Sequence, residues 1–132
     1  MVTTSTVLLD GTRDVETDFD VSLLERFGHP VTVCEGPEFK HICPLLGGEG
    51  CPKFEEAHGV VFKLDLDRAQ HRAILRAYHE LSPDLPIRVV VRPEQAERYH
   101  DLLTEFTVWT HEPTAVDLDA LAAEVEAADG LL

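Results

Sequence analysis

Three thiols and an imidazole fall in one irregular stretch of the chain: Cys34, His41, Cys43 and Cys51, with the cysteines spaced C-x8-C-x7-C. Thiolates and imidazoles are good ligands for zinc or for an iron–sulfur cluster. The spacing is not the tight C-x2-C knuckle of a zinc finger. Cys43-Pro44 and Cys51-Pro52 each set a thiol before a residue that favours the first helical position. Unpaired N–H groups at such a place lower a thiol's pKa. The trio therefore suits metal binding, a reversible disulfide or redox sensing. Set against that is Cys34 as a small buried hydrophobe, with the other two packing a loop.

The second set is acidic. Asp65 and Asp67 follow a short apolar run, Val60 to Phe62, and Asp10 closes an earlier one. Were the strand to continue, Asp65 and Asp67 would point to one face. With Asp10 they would form a cation site suited to Mg²⁺. Asp67 also stands where a helix N-cap belongs. His71 and His79 are eight residues apart, two turns of a helix, so they do not share one metal. No G-x-S-x-G, P-loop or G-x-G-x-x-G pattern is present.

The elements that must hold these residues alternate. Thr6 to Leu9 reads as a first strand, ended by Asp10-Gly11. Phe19, Leu23, Leu24 and Phe27 mark one face of a first helix, stopped by Gly28 with Pro30 beyond. Val31 to Cys34 is a second strand. Residues 35–52, rich in glycine and proline, read as a long structured loop, and Pro52 opens a short helix to Ala57. Val60 to Phe62 is a central strand. It leads to a helix with Ile74, Leu75, Tyr78 and Leu81 inward, and Arg68, His71, Arg72, Arg76 and His79 on a solvated face. Ile87 to Val91 is a fourth strand, and Pro93 opens a helix carrying Ala96, Tyr99, Leu102 and Leu103. Phe106 to Trp109 is a fifth strand. Thr114 and Asp117 resemble an acidic capping box for a last helix, which buries Leu118, Leu121, Ala122 and Val125. Five β-α units without a hairpin signal predict a three-layer α/β/α domain around a five-stranded parallel sheet. In such sheets ligands bind beyond the carboxyl ends of the strands.

The chain has 132 residues, which suits a single domain over 1–132. Eleven basic residues against 25 acidic ones give a net charge of −14. That excess repels phosphate backbones and anionic membranes, so nucleic acid is not an expected partner. No window approaches the roughly 18 apolar residues of a membrane span. The first residues lack a basic signal-peptide region. Together with an odd number of cysteines this predicts a cytoplasmic protein.

Five β-α units over nearly the whole chain resemble the flavodoxin-like fold, and most of all the receiver domain of bacterial response regulators. That resemblance implies strand order 2-1-3-4-5 and a phosphoryl-accepting aspartate at the end of the third strand, where Asp65 is the best match and Asp67 the alternative. It also implies acids after the first strand to hold a divalent metal. Asp10 matches one, Gly11 stands where the second would be, and Asp14 is a loose substitute. Receivers carry a serine or threonine at the end of the fourth strand, and this chain has Val91-Arg92. They carry a lysine before a proline after the fifth strand, and this chain reads Thr110-His111-Glu112-Pro113, with His111 or Arg92 as the available cations. Acyl-phosphate chemistry needs its developing charge neutralised. The pattern thus implies a pseudo-receiver: a regulatory or protein-interaction module more than an enzyme, with degraded phosphorylation machinery. No helix-turn-helix pattern follows the last helix, so signalling is expected to pass by contact. In this family the helix-strand-helix face at the end of the chain mediates dimers, which points to Pro93–Leu132 for a partner or a second copy. Two alternatives stand beside this reading. One is a metal or redox sensor built on the cysteines. The other is a true aspartate-phosphorylated receiver, or a small metal-dependent enzyme, at Asp10 and Asp65.

Overall fold

A computed structural model of the chain describes residues 5–12, 14–36 and 43–128. The strands are β1 (Val7–Asp10), β2 (Val31–Cys34), β3 (Gly59–Phe62), β4 (Ile87–Val90) and β5 (Thr107–Trp109). All pair in parallel, in the order β2-β1-β3-β4-β5. The helices are α1 (Val15–Arg26), α2 (Pro52–Glu55), α3 (Ala69–Leu81), α4 (Pro93–Arg98), α5 (His100–Leu103) and α6 (Ala115–Ala128). The parallel sheet, its order and the three layers agree with the expectation. Among the described residues no helix is long and apolar enough to cross a membrane.

Alternation along the inner strands divides the core in two. Leu8, Val60, Phe62 and Val89 face one side, where Phe54 of α2 and Ile74, Leu75 and Tyr78 of α3 cover them. Val7, Leu9 and Val61 face the other side, under Leu24 of α1 and Leu118, Leu121 and Val125 of α6. Each such side chain, fully buried, contributes about 1.5–3 kcal/mol. Gly28 ends the α1 segment with φ +93°, a conformation that a side chain would strain.

Several local expectations change. Helix α1 begins at Val15, four residues early, because Asp14 caps it: its Oδ1 accepts from the Thr17 N–H at 2.8 Å. The buried stripe is then Thr17, Asp20 and Leu24, and Phe19 is half exposed. Asp67 does not cap α3; the N-cap is Arg68, without a side-chain bond. His71 is buried, not solvated, and Leu81 is exposed. The single helix expected after Pro93 breaks at Tyr99 into α4 and α5. The Thr114–Asp117 box forms: the Asp117 N–H donates to Thr114 Oγ1 at 3.2 Å, and the Thr114 N–H to Asp117 Oδ2 at 3.0 Å.

Candidate functional site

Parallel strands bring their carboxyl ends to one rim. Asp10 and Cys34 are register partners there, and Phe62 lies opposite Asp10 on the other side of β1. The first residue beyond β3 is Lys63, whose N–H donates to the Asp10 carbonyl at 2.7 Å. Strand alternation sends these two side chains to opposite faces of the sheet.

Asp10 follows Leu8 toward α3. Its Oδ2 accepts from the Tyr78 hydroxyl at 2.7 Å, while Oδ1 is buried without a hydrogen-bond partner. Burial pushes the carboxyl up to about 7, although the Tyr78 bond, the Lys53 charge and the neighbouring Cys34 thiol pull it down. Burial likewise pushes the Tyr78 phenol and the Cys34 thiol up. Phe54 stacks on Tyr78 with ring centroids 4.3 Å apart, which fixes the hydroxyl.

Lys63 follows Val61 toward α1 and α6. Its Nζ donates to Asp20 Oδ2 at 3.0 Å and lies 2.8 Å from Glu112 Oε1. The Lys63 side chain is 10% exposed and the Asp20 side chain 2%. Burial works against the charge on Lys63, and the bonds from Glu112 and Asp20 more than offset it, so the ammonium is held above its ordinary value. Asp20 is also pushed up: its burial outweighs the Lys63 contact, and Glu112 and Asp14 repel it. The Lys63 direction governs the charge of the pair, because two carboxylates share one ammonium. Glycine at position 11 leaves room for this side chain, since a Cβ there would meet Lys63 Cβ at 3.2 Å.

A cleft of about 320 Å³ opens over the rim beside β4 and β5, with walls that include Lys63, Asp65, Arg92, Gln95 and Glu112. Asp65 is exposed on this wall, two residues past Lys63. Its Oδ1 accepts from Gln95 Nε2 at 2.8 Å and from the Asp67 N–H at 3.0 Å. That is an Asx turn, not a continued strand. Asp67 points away to α4 and α5. It accepts from Arg98 at 2.5 Å, from the Tyr99 hydroxyl at 2.7 Å and from Arg92 at 3.1 Å, and the Tyr99 bond leads in holding its carboxyl below the ordinary value. His71 takes the Asp65 carbonyl at 3.0 Å on Nδ1, and its buried Nε2 is unbonded. Burial, then the Arg68 charge, holds this imidazole low and neutral.

The rim therefore gathers Asp10, Cys34 and Asp65 at one end of the molecule but gives each different neighbours. Among the described residues no three His, Cys, Asp or Glu side chains come together as a metal-ligand set. Cys34, Cys43 and Cys51 are free and half-buried, and His41 lies outside the described residues. Lys63, Asp20, Gln95 and Tyr78 were not singled out from the sequence as site residues. One signal was available: a lysine between the buried Phe62 and Leu64, and an aspartate inside an apolar helix stripe, each need a partner.

No protein-family model matches the chain, and no curated protein matches it. Solved structures do. A response regulator receiver domain protein from Clostridium thermocellum superposes with a TM-score of 0.67 at 14% identity, covering 98% of each chain. A CheY-like receiver domain protein from Methanospirillum hungatei gives 0.66 at 16% identity, over 98% of this chain and 100% of that one. A receiver protein from Sinorhizobium medicae gives 0.66 at 18%, over 95% and 97%. At such identities the likeness establishes the fold, and the chain has the fold of a receiver domain along nearly its whole length.

Proposed function

We propose that the chain is a receiver-like regulatory module that works by contact with another protein and does not accept a phosphoryl group in the usual way. The observation that carries this reading is Lys63. The first side chain beyond the central strand is an ammonium already neutralised by Asp20 and Glu112, where a phosphoryl acceptor would need a free carboxylate beside a metal ion. Gly11 removes a carboxylate from the same rim, and Glu112 precedes Pro113 where the receiver pattern has a lysine. Acid and base have changed places across the cleft. Asp65 remains the one exposed carboxylate of the named cleft wall at β3, but its Oδ1 is already committed to Gln95 and to the turn.

A module of this kind signals through a surface. The proposed one is formed by α4, α5, β5 and α6, against a protein partner or a second copy of the chain. The test is incubation of the whole chain with Mg²⁺ and acetyl phosphate, or with beryllofluoride, followed by intact mass and tryptophan fluorescence. The expected result is no adduct and no saturable change. A phosphoryl adduct that maps to Asp65 and is lost in Asp65→Asn overturns the reading.

A further inference from the structure

The wall of the sheet opposite Lys63 carries chemistry that the receiver-like reading leaves unused. Cys34 ends β2 beside Asp10, and its carbonyl accepts from the Gly11 N–H at 2.9 Å. Cys51 is the residue just before α2. Two contacts bring the start of α2 down onto the end of β2. Lys53 Nζ donates to the Val33 carbonyl at 3.3 Å, and Phe54 stacks on Tyr78, whose hydroxyl is bonded to Asp10. Cys51 precedes Lys53 by two residues, as Cys34 follows Val33 by one. Both thiols, like that of Cys43, are half-buried against the same core cluster, and none of the three is in a disulfide; the contacts of Lys53 and Phe54 are what set Cys51 over Cys34. Each is near enough to act electrostatically on Tyr78, and Cys51 acts on Cys34. The bare, buried Asp10 Oδ1 belongs to the same wall.

We propose that Cys34 and Cys51 are a reversible dithiol–disulfide pair, oxidised by a hydroperoxide and restored by a dithiol. The Cys51 sulfur attacks the terminal peroxide oxygen, the O–O bond breaks, and the thiol proton leaves with the alcohol or water. Cys51 is then a sulfenic acid. The Cys34 sulfur attacks it, an S–S bond forms, and the displaced hydroxide leaves as water with the Cys34 proton. The two electrons lost by the thiols reduce the peroxide. The carboxyl of Asp10, the register partner of Cys34 on the next strand, is an acceptor through which that proton can pass. The bond ties the start of α2 to the end of β2. A thiolate exchange with an external dithiol reverses it. This inference does not depend on how the Lys63 cleft functions.

The experiment uses the full chain, reduced, treated with a chelator and desalted, then exposed to hydrogen peroxide. The expected result is loss of two of the three thiols under denaturing conditions. The mass should fall by two hydrogens, a Cys34–Cys51 linked peptide should appear, and dithiothreitol should reverse it. Cys43→Ala should cross-link at the wild-type rate. Cys51→Ser, in a half-buried loop position, should keep the fold by circular dichroism and form no intramolecular bond; Cys34→Ser should behave alike. A bond through Cys43, a bond between two chains, direct over-oxidation, or a tightly held metal that survives chelation and protects the thiols would each overturn the proposal.

Discussion

Asp10 and Lys63 touch through their backbones at the rim of the sheet, yet they meet opposite fates. Asp10 goes into the α3 side, where the Tyr78 hydroxyl donates to one carboxyl oxygen and the other is bare. Lys63 goes into the α1–α6 side, where Asp20 and Glu112 both meet its ammonium. The Asp10 carboxyl is buried and the Lys63 side chain largely covered, so desolvation opposes charge on each. The difference lies in whether an opposite charge came with it. On one face the burial penalty is left standing, and the carboxyl gives up its charge near neutrality. On the other it is offset, and the charge persists.

The largest effect expected from this contrast is at Lys63. In Lys63→Met the apolar stem is kept and the charge removed, leaving Asp20 buried and unpaired. Removing one partner of a buried pair costs about 3–5 kcal/mol. Urea unfolding at pH 7 should show a loss in that range. Adding Asp20→Asn to Lys63→Met should recover a large part of it, because the orphaned charge is then gone. A loss under about 1 kcal/mol would put this pair among surface ion pairs and undo the contrast.

The next effect is at Asp10, and it has a sign and a window. An ordinary aspartate titrates at 3.8, and in the folded chain Asp10 titrates at about 7. The folded state therefore holds this proton more tightly than the unfolded state does. The contribution is fully present below about pH 4 and is lost as pH rises through about 7. A shift of about three units corresponds to about 4 kcal/mol as an upper figure. Asp10→Asn keeps an acceptor for Tyr78 and removes the titration. It should be more stable than wild type at pH 8, by about 1–3 kcal/mol once its buried amide is counted. It should also lack the decline between pH 4 and 7. Chemical unfolding of both proteins across that range checks it; parallel pH profiles would mean that Asp10 is not the titrating group.

Much of the frame could be read from the sequence because apolar runs and helical periodicity report burial directly. Strand β2 is legible to the residue, and the Thr114–Asp117 box to its two residues. The end of β3 at Phe62 is legible too, but the residues just beyond it are harder, for a physical reason. Leu64 and Leu66 continue the apolar rhythm after Phe62 and are buried, so the pattern leaves open a strand that continues to Asp67 with Asp65 and Asp67 on one face. Both leucines pack into the α3-side core from the segment after β3, where Asp65 sits in an Asx turn and not in a continued strand. Period alone does not separate these cases. Asp20 and His71 were missed for the converse reason. A polar residue in a helix reads as solvated unless its partner is known, and Lys63 is 43 residues away from Asp20. Asp10, Cys34 and Asp65 were rightly expected at one rim, because parallel topology alone requires it.

Asp67 provides the smallest effect and the sharpest control. It has more charged and polar partners than Lys63: Arg92, Arg98 and the Tyr99 hydroxyl. By a count of bonds, Asp67→Ala should therefore cost more than Lys63→Met. By burial it should cost far less. Both arginine side chains are more than half exposed, and water competes for every contact. The expected result is a shift in thermal midpoint within the range of ordinary surface substitutions, shrinking further as salt is raised, since exposed pairs are screened. The Lys63→Met deficit should barely respond to the same salt. If Asp67→Ala proves as damaging as Lys63→Met, partner number and not solvent exclusion would be what distinguishes the two faces of the rim.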